Sequence, residues 1–154
     1  MKLLVKDMDI ASGGIQVVIL NENDAAKYDL HHQDRVRVRK GKKQTIAVVD
    51  ISESRKAVPP GKVGLFEEVL KAVNAKHGDM IDIEIDDKPH SLKYVRKKLE
   101  GYELTPKEIA EIVKDIVNNE LTAVELTYYV SANFAYGMSL KETVALTKAM
   151  INNG

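Results

Sequence analysis

The chain contains no cysteine among its 154 residues. Disulfide bridges, thiolate metal sites and cysteine nucleophiles are therefore excluded. Tryptophan is also absent and aromatic residues make up only 5% of the chain, so no platform of rings for stacking nucleic-acid bases is expected. Neither sign of charge is in excess, because lysine plus arginine and aspartate plus glutamate each number 23. Whole-molecule attraction to nucleic acid or to an acidic membrane is thus not predicted.

Long apolar runs are missing as well. No segment approaches the length of a membrane span, and charged residues interrupt positions 1–10, where a signal peptide would need continuous apolar sequence. Apolar residues still make up 44% of the chain, which is enough for a packed core. We therefore expect a soluble, cytoplasmic protein that binds neither nucleic acid nor membrane.

The first half of the chain contains an internal repeat with a constant offset of 45 residues. Asp34 corresponds to Asp79, and Val36 corresponds to Ile81. Each copy is interpreted as two apolar strands, a short helix, a turn and an alternating strand. A strand of period two buries one face only, so a single copy cannot cover its own apolar face, whereas two copies that close on each other can. The repeat therefore predicts a closed, pseudo-symmetric barrel of six strands.

This arrangement resembles the double-psi β-barrel, in which a Gly-Asp-like turn precedes the strand after each short helix. Here the two turns are Gln33-Asp34 and Gly78-Asp79. The composition changes near Asp86, where strand patterns give way to helix patterns. We predict an α+β chain with a double-psi-like β-barrel made of a duplicated β-β-α-β unit at 1–86 and an all-α helical bundle at 87–154.

The second half is patterned as helices. Capping boxes, in which a hydroxyl residue is followed three positions later by Glu, begin at Thr105, Thr122 and Ser139. The helix from Thr122 is apolar almost all round, which predicts that it is the central, buried helix of the bundle. Its apolar surplus also predicts a subunit contact, and the possible interface residues are Leu126, Tyr129, Val130 and Phe134.

Three arginines alternate with valines at Arg35, Arg37 and Arg39. They could contact phosphate or nucleic acid. Period two also places all three on one face of a strand and both valines in the core, which is typical of a half-buried strand with one solvent face. We favour the second interpretation, which predicts that the three arginines are dispensable for folding.

No other group of residues indicates catalysis, a cofactor or a metal. His31 and His32 are adjacent on a turn, and too few other ligand types are present for a zinc site. Gly13-Gly14 and the glycines at 61 and 64 are not followed by the Lys-Ser or Lys-Thr of a phosphate loop. The carboxylates fit outward faces of strands and form no distinct acid–base pair; they are Asp7, Asp9, Asp82, Glu84 and Asp86.

The helical half resembles the opening helical domain of the thymidine and pyrimidine nucleoside phosphorylases. The motifs that carry the resemblance are the Leu-Thr-x-x-Glu-Ile helix start at 104–109, the Gly-Met turn at 137–138 and the Leu-Thr-x-Ala-Met helix at 146–150. The Lys-rich Asp-Gly turn of the family is Glu100-Gly101 here, which is a small departure. A preceding β-rich module is typical of the archaeal branch, the AMP phosphorylases, so the resemblance covers the whole chain.

The resemblance implies an enzyme that converts AMP, or another nucleoside monophosphate, and phosphate to free base and ribose 1,5-bisphosphate without a metal or other cofactor. It also implies a homo-oligomer, with a dimer formed through the helical domain. The family's phosphate-contacting loop follows the Leu-Thr-x-Ala-Met helix, and the chain ends at Gly154 before it. No catalytic or phosphate-binding residue of the family therefore maps onto this chain, which is expected to be inactive alone and to serve assembly and domain scaffolding.

Two other interpretations stay open at this point. One is a fragment of an enzyme like anthranilate phosphoribosyltransferase, whose opening helices have a similar pattern but which lacks a leading barrel. The other is a stand-alone adaptor that binds partner proteins, since double-psi barrels also stand at the front of AAA ATPases. Fold analogy by itself does not decide between them.

Overall fold

The computed structural model describes all 154 residues, which divide into two compact units, Met1–Asp87 and Lys88–Gly154. The sequence predicted a boundary after residue 86. The elements of the first unit are β1 (Lys2–Asp7), β2 (Val17–Asn21), α1 (Glu22–Lys27), β3 (Arg35–Lys40), β4 (Lys43–Ser52), β5 (Lys62–Leu65), α2 (Glu67–Val73) and β6 (Met80–Ile85). The elements of the second unit are α3 (Leu92–Leu99), α4 (Pro106–Val117), α5 (Ala123–Tyr136) and α6 (Leu140–Asn153).

The six strands of the first unit close into a barrel in the order β1-β5-β2-β4-β3-β6. Ile19 of β2 lies opposite Gly64 of β5, and Val38 of β3 lies opposite Ile83 of β6. In both pairs the partners are 45 residues apart, so each position faces its own equivalent in the other copy, as two-fold pseudo-symmetry requires. The predicted fold class, a closed barrel from a duplicated unit followed by a helical bundle, is confirmed.

Inward-facing aliphatic side chains from all six strands fill the barrel. The alternation along each strand places one face inside, where β-branched residues pack well. The valines, leucines and isoleucines of the strands that are at most 2% exposed are Val5, Val18, Leu20, Val36, Val38, Val49, Val63, Leu65, Ile81 and Ile83. The interior is thus a packed hydrophobic core.

The arginines of β3 alternate with the buried Val36 and Val38, as predicted, but the prediction that their side chains face solvent is wrong for Arg35 and Arg37. The side chains of Arg35 and Asp86 are only 7% and 10% exposed, and Arg35 Nε donates to Asp86 Oδ2 at 2.8 Å. Arg37 Nη2 donates to the other oxygen, Asp86 Oδ1, at 2.7 Å. The prediction that Asp86 faces outward is therefore wrong. Asp86 directly follows β6, and its backbone N–H donates a hydrogen bond to the Arg35 carbonyl. Arg39 is exposed, as predicted.

The second unit is built around α4. Ile109 and Ile112 are fully buried there, and all three predicted capping boxes form. The prediction that the helix from Thr122 is the central, buried one is wrong. That helix, α5, buries only Tyr129 and Ala132. It packs mainly against α3, whereas α4 packs against α6, so most of the α5 circumference has no neighbour within the unit.

Glu142 at the start of α6 is the polar centre of the helical unit. It is 2% exposed, and its carboxylate accepts hydrogen bonds from Lys98 Nζ at 2.8 and 2.9 Å. It also accepts the backbone N–H groups of Leu104 and Ser139, each at 2.9 Å. Burial raises the pKa of the Glu142 carboxyl, but the Lys98 ammonium and these two N–H groups outweigh burial and leave the pKa below its ordinary value.

We expect Asp86→Asn to destabilise the barrel, because it removes the carboxylate charge that pairs with the buried Arg35 guanidinium. Removal of one partner from a buried ion pair costs about 3 kcal/mol of the free energy of unfolding. Glu84→Gln is the matched control, since Glu84 and Arg39 form an exposed pair worth about 0.5 kcal/mol. Urea unfolding of the three proteins measures both values. Equal midpoints for the two variants would contradict the buried cluster.

We expect Glu142→Gln to lower the free energy of unfolding by about 3–5 kcal/mol at neutral pH. The pKa of Glu142 is lower in the folded than in the unfolded chain. The contribution is therefore fully present above the unfolded pKa and is lost as pH falls through the lower, folded pKa. The gap between wild type and variant should shrink on acidification. The control is Glu108→Gln. Glu108 is also the glutamate of a capping box, but it pairs with a more exposed lysine, Lys97. A gap that is constant with pH would mean that the carboxylate charge is not the stabilising feature.

Candidate interaction surface of the helical unit

Large apolar side chains are exposed on α5 and α6, at a density that the rest of the chain does not match. The α5–α6 apolar surface is the set of large apolar residues on these two helices that are more than half exposed. They are Tyr128, Val130, Phe134, Tyr136, Leu140, Met150 and Ile151. Exposed apolar clusters of this kind are typical of interaction sites. The two capping boxes at Thr122 and Ser139 fix where both helices begin.

The structure separates the four predicted interface residues. Phe134 is 92% exposed and Val130 is 59% exposed, and their spacing of four residues places them on one face of α5. Leu126 is half-buried. Tyr129 is 4% exposed and packs in the core of its own unit with Val95 and Ile109. A helix that is apolar all round has no polar stripe to mark its outer face, so Tyr129 could not be separated from Val130 by sequence pattern.

The α6 residues of the surface were missed by the sequence reasoning, although a signal was present. The buried residues of α6 are Glu142, Ala145 and Ala149, at the spacing of one helix face. Leu140 and Ile151 fall off that face and are 80% and 71% exposed. Small residues on the inner face and large ones on the outer face of a helix are the reverse of an ordinary surface helix.

The histidines of the barrel unit do not converge on a metal site. His32 Nδ1 lies 2.7 Å from Asp50 Oδ1, and His31 lies 3.6 Å from Asp34, all on exposed side chains. No group of three or more histidine and carboxylate side chains is close enough to hold one metal ion. The depression beside α2 has a volume of about 260 Å³ and is lined by exposed charged side chains such as Lys71 and Glu67.

Most buried polar groups are engaged in structural bonds. The Asn21 amide donates to the Val58 carbonyl at 3.0 Å while its oxygen caps α1. Arg35, Lys98 and Glu142 are bound as described above. The Ser91 hydroxyl is buried without a hydrogen-bond partner. Burial raises the pKa of Tyr129, against the opposing effect of the neighbouring Asn133 side chain. A tyrosine with a raised pKa stays neutral near pH 7 and is a poor general base there.

None of the six helices has the length and apolar character of a membrane-crossing segment. Among solved structures, a rationally designed double-psi β-barrel protein covers 56% of this chain with a TM-score of 0.50 and 20% identity, and 98% of that protein is matched. This likeness shows the double-psi fold of the barrel unit and nothing beyond the fold.

Residues 92–154 match the helical bundle domain of a glycosyl transferase family. The AMP phosphorylase of Methanococcoides burtonii is 36% identical over all 154 residues, and this chain spans 30% of the length of that relative. AMP phosphorylase 1 of Archaeoglobus fulgidus is 40% identical over 137 residues, which are 89% of this chain and 27% of the relative. Over its whole length the chain is therefore similar to archaeal AMP phosphorylases, and it fits an N-terminal portion of such a protein.

Proposed function

We propose that this chain is the N-terminal part of an AMP phosphorylase, a cytoplasmic pentosyltransferase that converts AMP and phosphate to adenine and ribose 1,5-bisphosphate. The observation that carries the proposal is the match to such relatives along all 154 residues, so that barrel and helical unit are both included. The separate match of residues 92–154 to a glycosyl transferase helical domain supports it.

In the proposed reaction a phosphate oxygen attacks the anomeric carbon of the ribose as the glycosidic bond to the base breaks. The transition state has oxocarbenium character, as in other glycosyl transfers. Catalysis then depends mainly on positioning and on electrostatic stabilisation.

We propose that this chain contributes assembly and domain scaffolding to the enzyme and does not catalyse the reaction alone. Its buried ionic groups support this division of labour. Arg35 is bound to Asp86, and Lys98 is bound to Glu142, with distances of 2.7–2.9 Å that leave the carboxylates engaged on both oxygens. Groups held in this way stabilise the fold and are not available to a substrate.

The chain alone should release no adenine from AMP, and replacement of the corresponding N-terminal residues in the Methanococcoides burtonii relative by this chain should keep that enzyme active. Phosphate-dependent adenine release measures both. The same relative without its N-terminal residues is the control. Phosphate-dependent turnover by the isolated chain would contradict the scaffolding role. A folded chimera without phosphate-dependent adenine release would refute the AMP phosphorylase assignment.

We further propose that the chain forms a homodimer through the α5–α6 apolar surface. The strongest support is Phe134, which is 92% exposed in the single chain. Covering its large apolar ring in a dimer would remove apolar surface from water, which is favourable. A two-fold symmetric dimer uses the same patch on both subunits, so each exposed residue is covered twice. Val130 of α5 and Leu140 of α6 are also more than half exposed, whereas Tyr129 lies in the core of its own unit.

Val130→Glu combined with Phe134→Glu should convert the dimer to a monomer, since two charges in each half of an apolar contact are left desolvated. Sedimentation equilibrium at micromolar concentration gives the mass, and circular dichroism confirms that the helices remain. Val117→Glu on α4, where Val117 is 50% exposed, is the matched control and should remain dimeric. A monomeric wild type, or a dimer that survives the double substitution, would refute this interface.

A further inference from the structure

Each short helix of the barrel unit carries a carboxylate in its first turn that holds a loop of the other copy. Asp24 of α1 accepts one hydrogen bond, from Gly61 N at 2.7 Å, in the loop between β4 and β5. Glu68 of α2 accepts hydrogen bonds from three consecutive residues in the loop between β1 and β2. They are Ser12 N at 2.9 Å, Gly13 N at 3.0 Å and Gly14 N at 3.4 Å, all to Glu68 Oε1. The two contacts join the same kinds of element, a short helix and a loop of the other copy, but differ in the position of the carboxylate and in the number of donors.

The difference comes from the loop sequences. Gly13 and Gly14 have φ angles of +80° and +118°, which glycine adopts without strain. In this conformation successive N–H groups converge on one point and form a concavity that binds anions. The other loop has Pro59-Pro60 near the matching place, and proline has no N–H to donate. The first copy therefore builds an anion-binding loop that the second copy cannot build.

The Glu68 carboxylate is held by backbone dipoles. The N–H of Ser12, followed by that of Gly13, lowers the pKa of Glu68 to about 2. The charge therefore persists at every pH at which the protein is expected to work. Gly13 and Gly14 are exposed, and a Cβ placed on either glycine would meet no atom within 4 Å, so their side of the loop is open to solvent. A small anion can therefore reach this loop from solvent.

We infer that residues 12–14 form a binding site for a phosphate-type oxyanion, and that Glu68 occupies this site as a tethered ligand. A ligand on the same chain has a high effective concentration, so in the wild type Glu68 keeps external phosphate out. Removal of the carboxylate opens the site. The inference rests on the loop alone and is independent of the proposed enzymatic function.

Glu68→Ala, with inorganic phosphate as the probe, tests the site. The variant should melt several degrees below wild type. Phosphate should then raise its melting temperature in a saturable manner, since a ligand that binds only the folded state stabilises it. The amide resonances of residues 12–14 should shift with the same dependence on phosphate concentration, while sodium chloride at equal ionic strength should leave them in place. Wild type should show neither response.

Asp24→Ala is the matched control, because Asp24 also holds a loop of the other copy but accepts a single backbone N–H, that of Gly61. It should also melt earlier, but phosphate should not restore it. A response of Glu68→Ala to phosphate no larger than that of Asp24→Ala would overturn the inference. If Glu68→Ala does not fold, Glu68→Gln keeps the shape of the side chain without its charge. Failure of phosphate to displace this carboxamide, seen as unshifted amides at 12–14, would equally overturn it.

Discussion

The barrel unit depends on one constraint, which is that neither copy of the repeat covers its own apolar face. Closure brings the equivalent positions Val38 and Ile83 opposite each other across the β3–β6 pair, and Ile19 opposite Gly64 across β2–β5. The positions of the other elements of the unit depend on these contacts. Both short helices, both loops and the end of β6 lie where the closed barrel places them, and the core contains aliphatic side chains from both copies.

Carboxylates fix the segments that closure and helix packing bring together. Asp86 joins the end of β6 to β3, Glu68 joins α2 to the first loop, and Glu142 joins the start of α6 to Lys98 of α3. Each accepts at least two hydrogen bonds, so little of the cost of removing its charge from water is left uncompensated. Loss of a single partner of such a buried group is strongly destabilising.

Burial and bonding distinguish the structural groups of this chain from its candidate functional groups. The buried charged groups of both units form ion pairs that stabilise the fold. The exposed apolar residues of α5 and α6, of which Phe134 is the most exposed, are not part of either core. An assembly and scaffolding role within a longer enzyme fits this distribution. The anion site proposed at residues 12–14 adds a polar function to a barrel surface that otherwise carries solvated charge.

The sequence by itself determined the features that depend on local periodicity and on the backbone. The 45-residue repeat, the three capping boxes and the change of pattern near Asp86 were all readable, because each needs only neighbours within a few residues or an internal copy. Only the tertiary structure decided that Arg35 is buried, that Tyr129 is buried while Phe134 is exposed, and that Glu68 contacts the first loop. Arg35 and Asp86 are 51 residues apart, and Glu68 and Ser12 are 56 apart. Which face of a strand or helix is covered depends on what the rest of the chain places against it, and no pattern within the element itself contains that information.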